Sequence, residues 1–403
     1  MRFALVSNVL PPGDSSHAAV IHRLLRDLDA RHYCLVSSGS SGTGSASDPG
    51  RLAGTHYYLP PAPRLTRGYR MGLRLWRERV NFGVGVIVRA RAIARILRRE
   101  ECDAVVVCTG GHEILDFPAA FLASRLTGAR FYAYLLDQYG HMVVHVLGKH
   151  IFARLEPMLL KRATAVIAPN ASLRDEVRRR HQVDALVIHN PCDLQAYDGP
   201  ANAESADGSI AQHAEKRIVY TGSVGPLQYE AFRNLLAAMA LDPRKITLHL
   251  YTAQPAARLE REGIRGPVVV HPPQPLSAMP ALQQQADVLF LPLSLHSNHP
   301  EIVRTAAPGK MAEYLAAGRP ILVHAPRDSF LASYFREHQC GVVVDRGEPA
   351  ELAAALEMVF GDPALRARLR ARAWARAEAD FDLRNVRRQF AQVIGLETTR
   401  PDL

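Results

Sequence analysis

Lys310 and Glu313 stand three residues apart in APGKMAEYLAAGRPILVHAP (307–326), a stretch whose pattern predicts a short helix followed at once by an apolar strand. Pro308 suits an early helical position, and Gly318 with Pro320 stops the helix. Lys310 therefore falls in the first turn, where the positive end of the helix dipole disfavours a cation. An anion placed there reverses the balance, because a helix start offers free backbone N–H groups and the lysine becomes its counter-ion. Glu313 and Tyr314 share a face with Lys310. A carboxylate one turn deeper can accept hydrogen bonds from a diol. A nucleoside diphosphate presents those groups in that order: diphosphate, then ribose. The same spacing also suits a plain exposed Lys–Glu pair worth ~0.2–0.5 kcal/mol.

The elements around this helix alternate. RFALVSN (2–8), HYCLVSS (32–38), DAVVVCTGG (103–111), ARFYAYLLD (129–137) and ATAVIAPN (163–170) read as buried strands, each followed by helical periodicity. A polar, small-residue stretch at 194–216 interrupts them, and a second alternating series runs from RIVYTGS (217–223) to CGVVVD (340–345). Strands alternating with helices imply parallel sheets covered on both faces. The expected architecture is α/β, with two tandem Rossmann-like doubly wound domains facing a cleft. Their expected bounds are 1–195, a linker at 196–216, and 217–380, with a C-terminal helix in 381–403 that can pack back on the first domain. Ligands of open α/β sheets bind beyond the carboxyl ends of the strands, where Gly222, Ser223 and the 307–318 helix lie. No G-x-G-x-x-G follows the first strand, which argues against a dinucleotide oxidoreductase.

The ordered set of motifs resembles the retaining glycosyltransferases of GT-B fold, in particular the large family numbered four. PGKMAEYLAAGRPILV is similar to their nucleotide-sugar helix, with Pro308, Lys310, Glu313, Tyr314, Ala316, Gly318 and Pro320 at the matching places. VIHNPCDLQAY (187–197) resembles their interdomain signature. RIVYTGSVGPLQYEAFRNLLAAM (217–239) resembles their next strand, glycine loop and helix, and ADVLFLPL (286–293) the strand before the sugar-binding loop. LVSNVLPPGDSSHAAVIHRLLRDL (5–28) resembles their first strand, loop and helix. The resemblance implies a hexosyltransferase-type enzyme that moves a sugar from a nucleotide-diphosphate donor to an acceptor, with no cofactor beyond the donor itself; metal independence is the expectation from the lack of a DxD carboxylate pair. The resemblance also implies donor contacts from Gly222, Gly309, Lys310 and Glu313; Ser223 in the same loop and Arg304 are further donor-side candidates. Catalytic roles fall to His112, near the transferred sugar, and to Lys310. Acceptor-side candidates are Gly13, Ser15, His17 and Asp137.

Three positions depart from the family pattern. Thr305 stands eight residues before Glu313, where the family often has a second Glu. Ser223 and Gln228 stand where an Arg and a Lys often face the diphosphate. Charge compensation then falls on Lys310 with Arg304. These losses keep two other readings open: a nucleotide-sugar epimerase of the same fold, and a degenerate GT-B protein that binds nucleotide without catalysis.

The chain's formal charge of +10 bears on partners. Zinc-finger spacing, an RNA-recognition signature and a basic tail are all missing, so nucleic acid is the weakest partner for that charge. The segment RLTRGYRMGLRLWRERVNFGVGVIVRARAIARILRREE (64–101) interleaves Arg with Leu, Trp76, Phe82, Val and Ile. It suits either a helix with a solvated Arg face or one lying on an anionic membrane. On the second reading the acceptor is a lipid-linked glycan or glycolipid of polysaccharide assembly, rather than a small molecule. The arginines of 363–381 read as a solvated helix face. DLDA (27–30) reads as part of the first helix, so no DxD-like carboxylate pair marks a metal site. The N-terminal apolar run breaks at Pro11-Pro12 and is too short for a secretory signal. Five scattered cysteines without CxxC suit a reduced, cytoplasmic chain without structural zinc, peripheral at the inner face of the membrane if the basic helix binds there.

Overall fold

In a computed structural model, the described residues are 1–13, 15–39, 50–62, 74–110, 114–136, 139, 149–197 and 215–396, with the side chains of 74–75 and 149–153 left out. The chain divides into two compact units: Met1–His189 with Arg384–Leu403, and Asn190–Leu383.

The first unit holds β1 (Phe3–Val6), β2 (Tyr33–Ser37), β3 (Thr55–Tyr58), β4 (Ala104–Thr109), β5 (Arg130–Leu135), β6 (Ala165–Ala168) and β7 (Leu186–Val187). They form one parallel sheet in the order β3-β2-β1-β4-β5-β6-β7. The second unit holds β8 (Glu215–Thr221), β9 (Lys245–Tyr251), β10 (Val268–His271), β11 (Val288–Pro292), β12 (Ile321–His324) and β13 (Val342–Val344), in the order β10-β9-β8-β11-β12-β13, again parallel. The central strands are runs of Val, Ile, Leu and Ala buried on both faces, the composition a parallel sheet needs when helices cover both sides. In each sheet the strand order reverses beside the first strand, between β1 and β4 and between β8 and β11. The crevice for a ligand opens at such a reversal. The Leu383–Ile394 helix buries Val386, Phe390, Ala391 and Ile394 against Phe3, Leu5, Tyr33 and Tyr134 of the first unit.

Several expectations need correction. β3, with its polar, half-exposed THYY, is an edge strand that carries no apolar run to reveal it. The first helix is Ser16–Leu25, so DLDA lies beyond it: Asp27 pairs with Arg387 at 2.6 Å and Asp29 accepts the Arg31 backbone N–H at 2.9 Å. Nor are the arginines of 363–381 a uniformly solvated face. Arg368 and Arg372 are exposed, whereas Arg366 and Arg370 are buried. Arg366 Nη1 donates to the carbonyls of Val359 and Phe360 at 3.0 and 2.8 Å, satisfying the C-terminal carbonyls of the Pro349–Gly361 helix. The long Arg74–Arg99 helix is likewise mixed. Arg79, Arg91, Arg95, Arg98 and Arg99 are exposed, and Arg77 and Arg89 are buried. Among the described residues no helix is long and apolar enough to cross a membrane.

Candidate functional site

The site candidates of the second unit gather at the carboxyl end of β8, at the reversal of strand order. β8 delivers Tyr220, Thr221 and then Gly222, whose φ of +112° is a conformation that side chains rarely adopt. Space is tight there as well, since a Cβ on Gly222 would stand 3.1 Å from both Cε and Nζ of Lys310 and would press on the lysine. The Gly222 N–H is tied back to the Tyr251 carbonyl at 2.8 Å. Gly222 and Ser223 are exposed, so this strained turn is open to a ligand.

The helix carrying Lys310 runs Lys310–Ala316, two residues later than Pro308 suggests. Pro308 and Gly309 form its entry turn, with the Pro308 carbonyl accepting the Met311 N–H at 2.9 Å. Lys310 does not pair with Glu313 on an exposed surface. Its ammonium donates to Tyr220 Oη at 2.9 Å and stands 4.3 Å from the centre of that ring. Tyr220 in turn donates to the Ser223 carbonyl at 2.5 Å, so the lysine and the turn are linked through one phenol. Burial holds the Lys310 pKa below the ordinary lysine value, partly offset by Tyr314 and Glu313.

Glu313 is 8% exposed. A carboxylate so enclosed requires a donor, and Gln283 supplies one, Nε2 to Oε2 at 3.0 Å. Tyr314 accepts the Thr221 N–H at 2.9 Å, which fixes the helix to the end of β8. The strand end therefore presents an ammonium and a carboxylate, side by side and differently held.

The remaining candidates fall into three groups. Arg304 is engaged by Asp328 at 3.1 Å. Thr305 donates its hydroxyl to the Glu301 carbonyl at 3.2 Å, and Gln228 accepts the Gly225 N–H at 3.0 Å, shaping the turn before the next helix. In the first unit, Ser15 caps the Ser16–Leu25 helix by accepting the Ala18 N–H at 3.1 Å. His17 lies against Gly110, where a Cβ would come within 2.7 Å of its ring. A Cβ on Gly13 would meet the Leu10 carbonyl at 3.2 Å. His112 and Asp137 lie outside the described residues. Among the described residues no group of three or more His, Cys, Asp or Glu could hold a metal ion.

Gln283, Thr221, Tyr197 and Tyr220 belong to the site but do not stand out in the sequence. One signal existed for Gln283: Met279, Gln283 and Ala286 recur at helical spacing and all are buried, so a polar residue occupies a core position.

Residues 215–362 match the family model described as glycosyl transferases group 1. No curated protein matches the chain in sequence. Among solved structures the chain is similar to HepE of Anabaena, crystallised with UDP and glucose, with a TM-score of 0.70 and 14% identity over 98% of this chain and 99% of that one. It is similar to sucrose-phosphate synthase of Thermosynechococcus elongatus, with a TM-score of 0.69 and 16% identity over 97% of this chain and 98% of that one. Trehalose 6-phosphate synthase of Burkholderia multivorans gives a TM-score of 0.64 and 15% identity over 98% of this chain and 96% of that one. What is shared at such identities is the fold, the tandem α/β arrangement of GT-B proteins.

Proposed function

We propose that this chain is a retaining, metal-independent glycosyltransferase that moves a hexose from a nucleotide-diphosphate donor to an acceptor. One observation carries the reading: a buried, hydrogen-bonded carboxylate, Glu313, stands three residues after an ammonium, Lys310, that rests on the exposed glycine turn ending β8. Glu313 would accept the ribose hydroxyls, and Lys310 the diphosphate. The match of 215–362 to glycosyl transferases group 1 supports the donor side, and the UDP held by HepE makes uracil the first base to try.

In the reaction the sugar gains oxocarbenium character while the diphosphate gains charge as it leaves. Lys310, already desolvated and held by Tyr220, would act where that charge appears, with little reorganisation. His112 and Asp137 keep the sugar- and acceptor-side roles that the resemblance implies, as part of the proposal. The test is calorimetric titration with UDP, ADP, GDP and their hexose conjugates. Saturable binding to one base is expected, and binding to none would overturn the reading. Lys310→Ala should weaken a nucleoside diphosphate about tenfold, ~1.4 kcal/mol, and leave the bare nucleoside unchanged; equal losses would remove Lys310 from the phosphate. Because its pKa is lowered, Lys310 should lose its proton, and the protein its diphosphate affinity, at a lower pH than an ordinary lysine would.

The acceptor in this reading is lipid-linked, a precursor of polysaccharide or glycolipid, at the inner face of the membrane. The outer face of the Arg74–Arg99 helix supports it: Trp76 is 61% and Ile87 48% exposed, with Val84 and Val88 beside them and Arg91, Arg95, Arg98 and Arg99 beyond. An apolar half and a basic half on one helix suit an anionic bilayer. Liposome sedimentation should rise with anionic lipid, fall with salt, and drop on Trp76→Ala. Indifference to lipid composition would return these residues to ordinary surface.

A further inference from the structure

We infer that Gln283 is the positioning residue for Glu313, and so sets the protein's discrimination for an intact ribose. The inference rests on the reading of Glu313 as the ribose ligand. Gln283 sits in the Met279–Gln284 helix and is fully buried. Its Nε2 donates to Glu313 Oε2 at 3.0 Å and faces Thr221 Oγ1 at 3.4 Å, and its Oε1 accepts from Tyr197 Oη at 2.7 Å.

The orientation of this amide is forced from both sides. An ionised carboxylate only accepts, so the NH2 group must face Glu313. The carbonyl then faces Tyr197, which has a hydroxyl proton to give. Gln283 therefore ties the Tyr197 turn and the end of β8 to one carboxylate oxygen of the Lys310–Ala316 helix. Leu282, Ala286 and Tyr197 around it belong to an apolar cluster, where a leucine or methionine would pack without polar atoms to satisfy. A polar network in that setting is costly unless every member is paired. What the glutamine adds over an apolar residue is a fixed carboxylate. Glu313 has three side-chain torsions, and the bond from Gln283 removes part of the freedom that a ligand has to order at binding.

The experiment measures affinity for UDP, ADP and GDP, each beside its 2′,3′-dideoxy analogue, in the wild type, Gln283→Met and Tyr197→Phe. The wild type should prefer the ribonucleotide of its base. Gln283→Met keeps the size of the side chain and removes the donor. It should weaken the ribonucleotide about tenfold and leave the dideoxy analogue unchanged, which a merely structural loss would not do. Tyr197→Phe keeps the amide but frees it to turn, and should weaken the ribonucleotide about threefold with the same selectivity. A wild type that binds both sugars equally overturns the ribose reading itself. A discriminating wild type whose folded Gln283→Met keeps that discrimination, or loses both ligands alike, overturns the role of Gln283 alone. If Gln283→Met does not fold, Tyr197→Phe decides: an unchanged ratio overturns the proposal.

Discussion

Glu313→Ala should raise the dissociation constant for the nucleoside diphosphate by about 30–100-fold, ~2–3 kcal/mol, while the chain still folds. The size follows from what is lost together. Hydrogen bonds to a charged acceptor are worth about 1.5–3 kcal/mol each, so the two that a ribose would make in the proposed complex bound the loss from above, and water bonding to the freed hydroxyls returns part of it. Glu313→Ala also takes the shorter of two acceptors from the buried Gln283 Nε2 and leaves it the longer contact to Thr221 Oγ1, which costs stability as well as affinity. Glu313→Gln separates the two effects. It fills the same volume and can still accept from Gln283, but it lacks the charge, so its affinity should fall between wild type and alanine. The measurement is calorimetry with circular dichroism as the check on folding. Affinity unchanged in a folded Glu313→Ala protein would reject the ribose contact. That outcome would leave the Lys310 assignment standing, because the lysine is held by Tyr220 and not by Glu313.

The part of this site that was legible in the sequence is the part made by local rules. Pro308, Gly318 and the apolar run after Pro320 define a short helix and a strand, and the alternation of such units gives the two parallel sheets. The strand pattern puts Gly222 at the carboxyl end of a sheet, where ligands of open α/β sheets bind, whereas a close approach to phosphate there is what the family resemblance implies. What spacing left open was whether Lys310 and Glu313 meet each other or something else. The answer depends on Tyr220 and Gln283, which stand 90 and 30 residues away from them in the chain. Periodicity can mark Gln283 as a polar residue at a core position, but not the partner it finds there. The buried arginines escaped for a related reason. A run of Arg and Ala at helical spacing reads as a wet face, and nothing in LRARLRAR indicates that every second guanidinium turns inward. Arg366 does so because the preceding helix ends with carbonyls that lack partners. β3 escaped because an edge strand can be polar on both faces.

Asp116→Ala should destabilise the first unit by about 3–5 kcal/mol, seen as a fall in Tm of roughly 6–20 °C. Asp116 opens the Asp116–Thr127 helix, where its charge also suits the dipole. One oxygen accepts from Arg89 Nη1 at 2.8 Å and the other from Ser38 Oγ at 2.8 Å, and both members of the ion pair are almost fully buried. Alanine leaves the Arg89 guanidinium without its carboxylate in a place that water does not reach, and that is the expensive way to break such a pair. Removing both charges together is far cheaper. Arg89→Met with Asp116→Leu should recover most of the loss, and the double-mutant cycle should show a coupling well above that of the surface pair Arg174–Asp175, whose side chains are 43% and 63% exposed. The pair also has a consequence for the proposed membrane face. Arg89 ties the Arg74–Arg99 helix to the Asp116–Thr127 helix, while Trp76, Val84 and Ile87 of the same helix are exposed. The double variant should therefore regain stability, and its sedimentation with anionic liposomes should reveal whether apolar packing alone keeps that face aimed at the lipid. Binding equal to wild type would assign the orientation to the buried Val86, Ala90, Ile93 and Leu97 row rather than to the charge pair.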